Sequence, residues 1–361
     1  MSIHFHKLSI KEIRKETPEC VSIAFDIPES LTETFQFTHG QNITLKSIID
    51  GEEIRRSYSI CSSPLDNELR VAVKKVEAGK FSTHANNQLK EGDIIEVLPP
   101  TGKFNTSLDN KQAKNYIAFV AGSGITPVLS IIKTTLQTEP NSSFTLIYGN
   151  RNRSAIIFKE ELEGLKNKYI DRFRIYHILS REKTDSPINY GRIDKEKCEA
   201  LTKLIDIKNG DEFFLCGPEA MIFSVKDFLA AHGIDKKNIH FELFNTSTDK
   251  AAIANRDDSK KASIGEEKKC KVTVKQDGIS FFFELPYNSN SILDAALQQG
   301  ADVPYSCKGG MCCTCKAKLV EGEVEMEVNY TLEQDEIDAG FILTCQSHPR
   351  TEKVVVDYDV K

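Results

Sequence analysis

Tyr305-Ser306-Cys307-Lys308-Gly309-Gly310-Met311-Cys312-Cys313-Thr314-Cys315, answered 30 positions later by Cys345 in Leu343-Thr344-Cys345-Gln346, decides how the chain is read. Cys307, Cys312, Cys315 and Cys345 have the spacing C-x4-C-x2-C…C, by which four thiolates hold a two-iron two-sulfur cluster. Three thiolates come from one tight loop and the fourth from a distant strand end. Gly309 and Gly310 lack Cβ, so the loop can wrap closely and aim backbone N–H groups at the sulfurs. A structural zinc site would want two similar Cys pairs, or Cys with His, and no second C-x2-C is present. Disulfides would imply secretion, and Met1-Ser2-Ile3-His4-Phe5-His6 is no apolar signal core. Cys313, between two ligands, is not expected to be one.

Working outward, the 361 residues are enough for two or three domains. With 40% hydrophobic and 28% charged residues and no apolar run near the length of a membrane span, the composition is that of a soluble protein. Ten cysteines without a signal peptide predict a reducing compartment, the cytoplasm. A net charge of −6 argues against nucleic acid as a partner. The charge is uneven: residues 266–361 carry a net −7, and 321–338 hold eight acidic side chains and no basic one. Such a segment either steers towards a basic docking face or is merely a solvated loop.

Residues 1–110 read as short strands between Gly and Pro turns, among them Val21–Phe25, Asn42–Leu45 and Leu69–Val73, which predicts an antiparallel barrel. Arg56-Ser57-Tyr58-Ser59 follows a strand; alternation places Arg56 and Tyr58 on one face, a guanidinium for phosphate and a ring to cover a flat ligand. Gly79-Lys80-Phe81-Ser82-Thr83 leads into a helix expected over 82–89, whose free N–H groups suit a pyrophosphate.

From 111 to 245 strands and helices alternate, which predicts an α/β domain with a parallel sheet. Tyr116–Val120 runs into Ala121-Gly122-Ser123-Gly124-Ile125-Thr126-Pro127, with Thr126 as N-cap and Pro127 as first helical residue. That turn is a dinucleotide phosphate loop or a plain turn, since the third glycine of the usual fingerprint is missing. The next strand, Phe144–Gly149, ends in Asn150-Arg151-Asn152-Arg153, and Phe173–Leu179 ends in Ser180-Arg181. With arginines and no acid there, Arg151, Ser180 and Arg181 favour a 2′-phosphate and hence NADPH over NADH; solvated arginines would look the same. Glu212–Leu215 runs into Cys216-Gly217-Pro218, at the carboxyl end of a central strand where ligands of open α/β sheets bind; a small buried Cys is the plain alternative. Ile239–Phe244 closes this domain, residues 246–268 read as a flexible linker, and 269–361 as a β-grasp with a helix capped by Ser291.

In this order the motifs resemble the oxygenase reductases of the ferredoxin–NADP reductase superfamily that carry a C-terminal plant-type ferredoxin domain. The resemblance implies a multidomain fold: a β-barrel FAD domain, an α/β NAD(P) domain and a 2Fe-2S β-grasp. It implies FAD held by Arg56, Tyr58, Ser59, Gly79, Ser82 and Thr83, with Phe244 shielding the other face of the ring. Gly122, Gly124, Thr126, Arg151, Ser180, Arg181 and Cys216 to Pro218, Gly217 included, would bind NADPH or NADH. Ser59, Cys216 and Glu242 would be the catalytic positions. A narrower resemblance, to the reductase subunits of phenylacetyl-coenzyme A epoxidases, rests on Tyr148–Arg151, Phe158–Leu162, Glu325–Tyr330 and Phe341–Pro349. It implies as partner the di-iron oxygenase subunits of a multicomponent epoxidase in phenylacetate degradation, with neither nucleic acid nor membrane involved. A nicotinamide gives electrons in pairs and the cluster takes them singly, so the expected order is NADPH, flavin, cluster, oxygenase. A reductase for a ring-hydroxylating oxygenase or a hybrid-cluster protein, and a redox-sensing module, share many of these motifs.

Overall fold

The computed structural model describes residues 4–244, 268–287 and 289–360. The chain divides into two compact units, one built on residues 7–54 and 58–244, the other chiefly on the chain after Phe244. The linker expected at 246–268 lies, but for Lys268, outside the described residues.

The first unit opens with six antiparallel strands: β1 (His6–Thr17), β2 (Cys20–Asp26), β3 (Asn42–Ile49), β4 (Glu52–Ser59), β5 (Leu69–Lys74) and β6 (Ile94–Val97), in the order β4-β3-β6-β1-β2-β5. Ile60, just past β4, bridges Val71 of β5, so the two ends of the sheet meet and the barrel closes. Closure removes the exposed sheet edges that invite aggregation. The strand β2 is buried on both faces: Val21, Ile23 and Phe25 fill the barrel, while Cys20 packs with Cys61 and Ala72 into the neighbouring α/β core. These two cysteines therefore serve packing. Arg56 to Ser59 form the last four residues of β4, the neighbour of β3, rather than following it. Helix α1 (Lys80–Asn87) starts two residues before the expected Ser82, because Gly79 takes the cap position and the Ser82 hydroxyl donates back to its carbonyl.

Five parallel strands follow: β7 (Asn115–Ala121), β8 (Ser143–Asn150), β9 (Phe173–Leu179), β10 (Glu212–Gly217) and β11 (Ile239–Leu243), ordered β11-β10-β7-β8-β9. Helices α2 (Ile125–Thr138), α3 (Lys159–Lys168), α4 (Lys195–Leu201) and α5 (Glu219–Ala231) cover the sheet. Strand order reverses between β7 and β10, and ligands of such sheets bind at that switch point. The cap of α2 differs from expectation. Thr126 is not its N-cap: a 3-10 turn over Gly122–Gly124 runs directly into the helix, leaving Thr126 its second residue with its hydroxyl donating to the Ser123 carbonyl. Cys216 is the penultimate residue of β10, which runs past Leu215 because register with β7 persists through Cys216 and register with β11 to the strand's end.

The second unit is a mixed five-stranded sheet of β12 (Lys269–Gln276), β13 (Ile279–Pro286), β14 (Lys316–Glu321), β16 (Phe341–Leu343) and β18 (Lys353–Asp357), ordered β13-β12-β18-β14-β16. A short pair, β15 (Val324–Met326) and β17 (Ser347–Pro349), stands beside it. Helix α6 (Ile292–Gln298) is capped by Ser291, whose hydroxyl accepts the Asp294 N–H at 3.2 Å. Ile292, Leu293, Ala295 and Ala296 of α6 pack on Val272, Val274, Val354 and Val356, the arrangement of a β-grasp.

Inside the first unit one guanidinium ties three strands. Arg70 of β5 is buried and donates to Ser22 of β2 at 3.0 Å, to Glu68 at 2.8 and 2.9 Å and to Glu12 of β1. Hydrogen bonds from Arg14 and then Arg70 hold Glu12, and one from Arg70 holds Glu68, below the ordinary value of 4.5. A depressed carboxylate adds stability above its unfolded value and loses it as pH falls through the folded one. Arg70→Met is expected to cost about 1–3 kcal/mol at pH 7, by leaving Glu68 without its partner while Glu12 keeps Arg14 at 2.7 Å. Urea melts should show the wild type losing stability below pH 4.5 more steeply than the variant; equal slopes would contradict this.

Candidate active site and cluster loop

At the switch point, three side chains from separate strands meet. Glu242 of β11 is the register partner of Cys216 of β10. Ser59, at the end of barrel strand β4 and 4% exposed, donates its hydroxyl to Glu242 Oε2 at 3.0 Å. The Cys216 thiol is fully buried, and burial, with the Glu242 charge adding, pushes it well above its ordinary range. It is therefore a neutral, compact wall beside the hydrogen-bonded pair of Ser59 and Glu242. Phe244, just after β11, packs against the core of the parallel sheet.

The glycine turn lies directly against this group. A Cβ at buried Gly124 would strike the carbonyl of Cys216, so the turn after β7 and the end of β10 touch backbone to backbone. Only glycine permits that approach. The Ile125 N–H closes the turn on the Gly122 carbonyl, and the N–H groups ahead of it lack carbonyl partners within the helix, as at every helix start. The sequence reading missed a neighbour: the ammonium of Lys74, at the end of β5, lies beside Gly122, 3.4 Å from where a Cβ would stand. Burial, and then the charge of Arg151, depress its pKa, so two cations share one corner of the turn. Nothing local in Val73-Lys74-Lys75 signals this, since it depends on β5 ending next to β7.

The strand ends continue as a short ladder. Ser180 donates its N–H and hydroxyl to the Asn150 carbonyl at 2.9 and 3.3 Å, and the Arg181 N–H reaches the Arg151 carbonyl at 2.8 Å. Both arginines are exposed at this end. An acid is present after all: Glu182 accepts the Arg153 N–H at 2.8 Å and pairs with its guanidinium at 3.4 Å. It comes from the end of β9 rather than β8, where no local pattern pointed to it.

On the barrel, Arg56 is exposed, with Nη1 donating to the Arg55 carbonyl at 2.7 Å, and the half-buried Tyr58 ring tilts against Phe81 at 5.5 Å. The Ser82 hydroxyl is engaged in its own turn, accepting the Val76 N–H at 3.1 Å and donating to the Gly79 carbonyl at 3.2 Å. Thr83 is half-buried, its N–H bonded to the same carbonyl at 3.0 Å. Pro218 sits at the cap position of α5.

In the second unit the four thiols act on one another as two pairs, Cys307 with Cys312 and Cys315 with Cys345. Within each pair one thiol holds its partner below the ordinary thiol value, Cys307 acting on Cys312 and Cys315 on Cys345. Among the described residues no group of three or more His, Cys, Asp and Glu side chains gathers at one point fit for a single ion. Two thiol pairs offer two ligands to each of two irons, so the donor set fits the cluster better than zinc. N–H groups face the sulfurs: Gly309 N is 3.3 Å from Cys307 Sγ, and those of Gly310 and Met311 act on Cys345 and Cys307. Gly310, at φ +73°, is required here, because a Cβ would press on the Val328 carbonyl at 2.8 Å.

Three family models match the chain: an oxidoreductase FAD-binding domain over residues 7–106, an oxidoreductase NAD-binding domain over 119–227 and a 2Fe-2S iron-sulfur cluster binding domain over 274–350. The chain is 46% identical to a subunit of 1,2-phenylacetyl-CoA epoxidase from Escherichia coli, over 99% of this chain and 98% of that one. It is 34% identical to the ferredoxin reductase component of 3-ketosteroid-9-alpha-monooxygenase from Mycobacterium tuberculosis, over 99% and 96%. Among solved structures, phthalate dioxygenase reductase superposes with a TM-score of 0.57 at 25% identity, covering 98% of both chains. No helix among the described residues is long and apolar enough to cross a membrane. The chain belongs to the family of oxygenase reductase components, electron-transfer oxidoreductases that join an FAD-binding, an NAD-binding and a 2Fe-2S domain in one polypeptide.

Proposed function

We propose that this reductase takes electrons from NADPH and delivers them to the di-iron oxygenase subunits of a multicomponent epoxidase acting on phenylacetyl-coenzyme A. The observation that carries the reading is full-length identity: 46% to the epoxidase subunit against 34% to the ketosteroid component, over nearly the whole of each chain. A cytoplasmic address suits the thiol pairs, which need a reducing compartment.

Bound flavin would supply the exchange between a two-electron donor and a one-electron acceptor. The chain's part is placement. Arg56 and the N–H groups at the start of α1 would take the flavin phosphates, and Tyr58 and Phe244 would flank the ring. Lys74, Arg151, the turn Gly122–Gly124 with Thr126, and Gly217–Pro218 would take the nucleotide phosphates, with Ser180 and Arg181 at a 2′-phosphate. The neutral thiol of Cys216 closes the space where the rings meet without adding charge. Ser59 and Glu242 would hold and pass the proton at that point: the hydroxyl already donates to the carboxylate, and Glu242 is half-exposed. Cys307, Cys312, Cys315 and Cys345 would hold the cluster.

In aerated buffer with a phenylacetyl-coenzyme A oxygenase component, consumption of NADPH, faster than of NADH, should rise on adding phenylacetyl-coenzyme A and match epoxide formed. Substrate-independent consumption would return the acceptor to the other oxygenase classes. Glu242→Gln should lower kcat for NADPH oxidation with ferricyanide by about a hundredfold, at unchanged FAD content; a kcat within threefold of wild type would remove Glu242 from the mechanism. Cys345→Ser should lose bound iron and cytochrome c reduction but keep ferricyanide reduction, while Cys313→Ser keeps its iron. Iron loss in Cys313→Ser with retention in Cys345→Ser would reverse the ligand assignment.

A further inference from the structure

Under the glycine turn lies a buried hydroxyl that the functional reading above does not use. Tyr148 of β8 is fully buried, and its O–H donates to the carbonyl of Gly122 at 3.0 Å. That carbonyl also accepts the N–H of Ile125, closing the 3-10 turn, so it takes two hydrogen bonds. The hydroxyl is thus a bridge between β8 and the turn after β7.

The consequence comes from peptide geometry. In a trans peptide the C=O of one residue and the N–H of the next point in opposite directions. A Gly122 carbonyl held inward on Tyr148 turns the Ser123 N–H outward, away from the core. Gly122 stands at φ +56°, and as a glycine it could swing through a wide range of orientations if the carbonyl were released. The lost contact would leave the 3-10 bond alone to hold that plane. Two residues beyond Tyr148 the strand ends at Asn150, and Arg151 follows, so one hydroxyl ties the turn to the segment bearing the arginine that crowds Lys74.

We propose that Tyr148 is a positioning residue for the nicotinamide dinucleotide: its hydroxyl fixes the Gly122–Ser123 peptide plane so that the Ser123 N–H is presented to the pyrophosphate. This rests on the reading that the Gly122–Gly124 turn receives the nucleotide phosphates. The side chain touches neither cofactor nor reacting atoms, so its effect belongs in binding and not in the chemical step.

The test is Tyr148→Phe in the full-length flavin- and iron-loaded protein, beside Lys74→Met as a probe of the turn. Removal of one neutral hydrogen bond should raise KM for NADPH roughly three- to tenfold. The kcat for ferricyanide reduction should stay within twofold, with FAD content, iron content and melting temperature unchanged. The inhibition constant of 2′-AMP, which has the adenosine and 2′-phosphate but no pyrophosphate, should not move. An unchanged KM in Tyr148→Phe with a raised KM in Lys74→Met would overturn the tyrosine's role and leave the turn as the phosphate site. Unchanged KM in both would sink the reading of the turn itself. Failure of Tyr148→Phe to fold, or a KM and 2′-AMP constant that rise together with a lowered melting temperature, would make the hydroxyl a structural pin only and also overturn the proposal.

Discussion

Hydride passes only between atoms in near contact, so a chain that draws one from a nicotinamide must bring two binding elements to a single point. Here the barrel and the parallel sheet belong to one compact unit, and the outer face of β2 and β5 is buried in the core of the sheet. The Ser59–Glu242 hydrogen bond crosses from one to the other where β10 ends. The reversal of strand order opens the cleft, Gly124 lets the turn close on Cys216, and the barrel supplies the opposite wall. Remove that junction and the motifs remain, but they no longer face a common site.

The cluster loop obeys a different constraint. A cluster is bonded directly to its ligands, so Cys307, Cys312 and Cys315 within nine residues point to such a site by spacing alone. What the fold adds is the fourth thiol, brought by the turn after β16, and the N–H groups aimed at sulfur by Gly309, Gly310 and Met311. These amides matter because hydrogen bonds to sulfur are among the protein's means of tuning a cluster's potential.

That difference explains which parts are legible in the sequence. Strands β7 and β9 and the Ser291 cap can be read because each is written in a short window. The starts of α1 and α2 are misplaced by such a reading because an extended Gly79 caps α1 and the 3-10 turn over Gly122–Gly124 leads into α2, each ahead of the Ser or Thr that looks like a cap. Lys74, Glu182 and Tyr148 escape it for a stronger reason. Each acquires its neighbour only through strand order, β5 beside the turn after β7, β9 beside β8, and β8 beside β7, and no local pattern encodes an adjacency of that kind.

The central claim is that one polypeptide carries electrons from nicotinamide through flavin to a two-iron cluster. The most direct measurement is anaerobic addition of one equivalent of NADPH to the purified full-length protein, followed by visible absorbance and low-temperature EPR. The account requires bleaching of the flavin band and then the EPR signal of a reduced two-iron cluster, with two irons per chain. Flavin bleaching with no cluster signal in an iron-loaded sample, or a cluster reduced by NADPH in protein stripped of flavin, would contradict it.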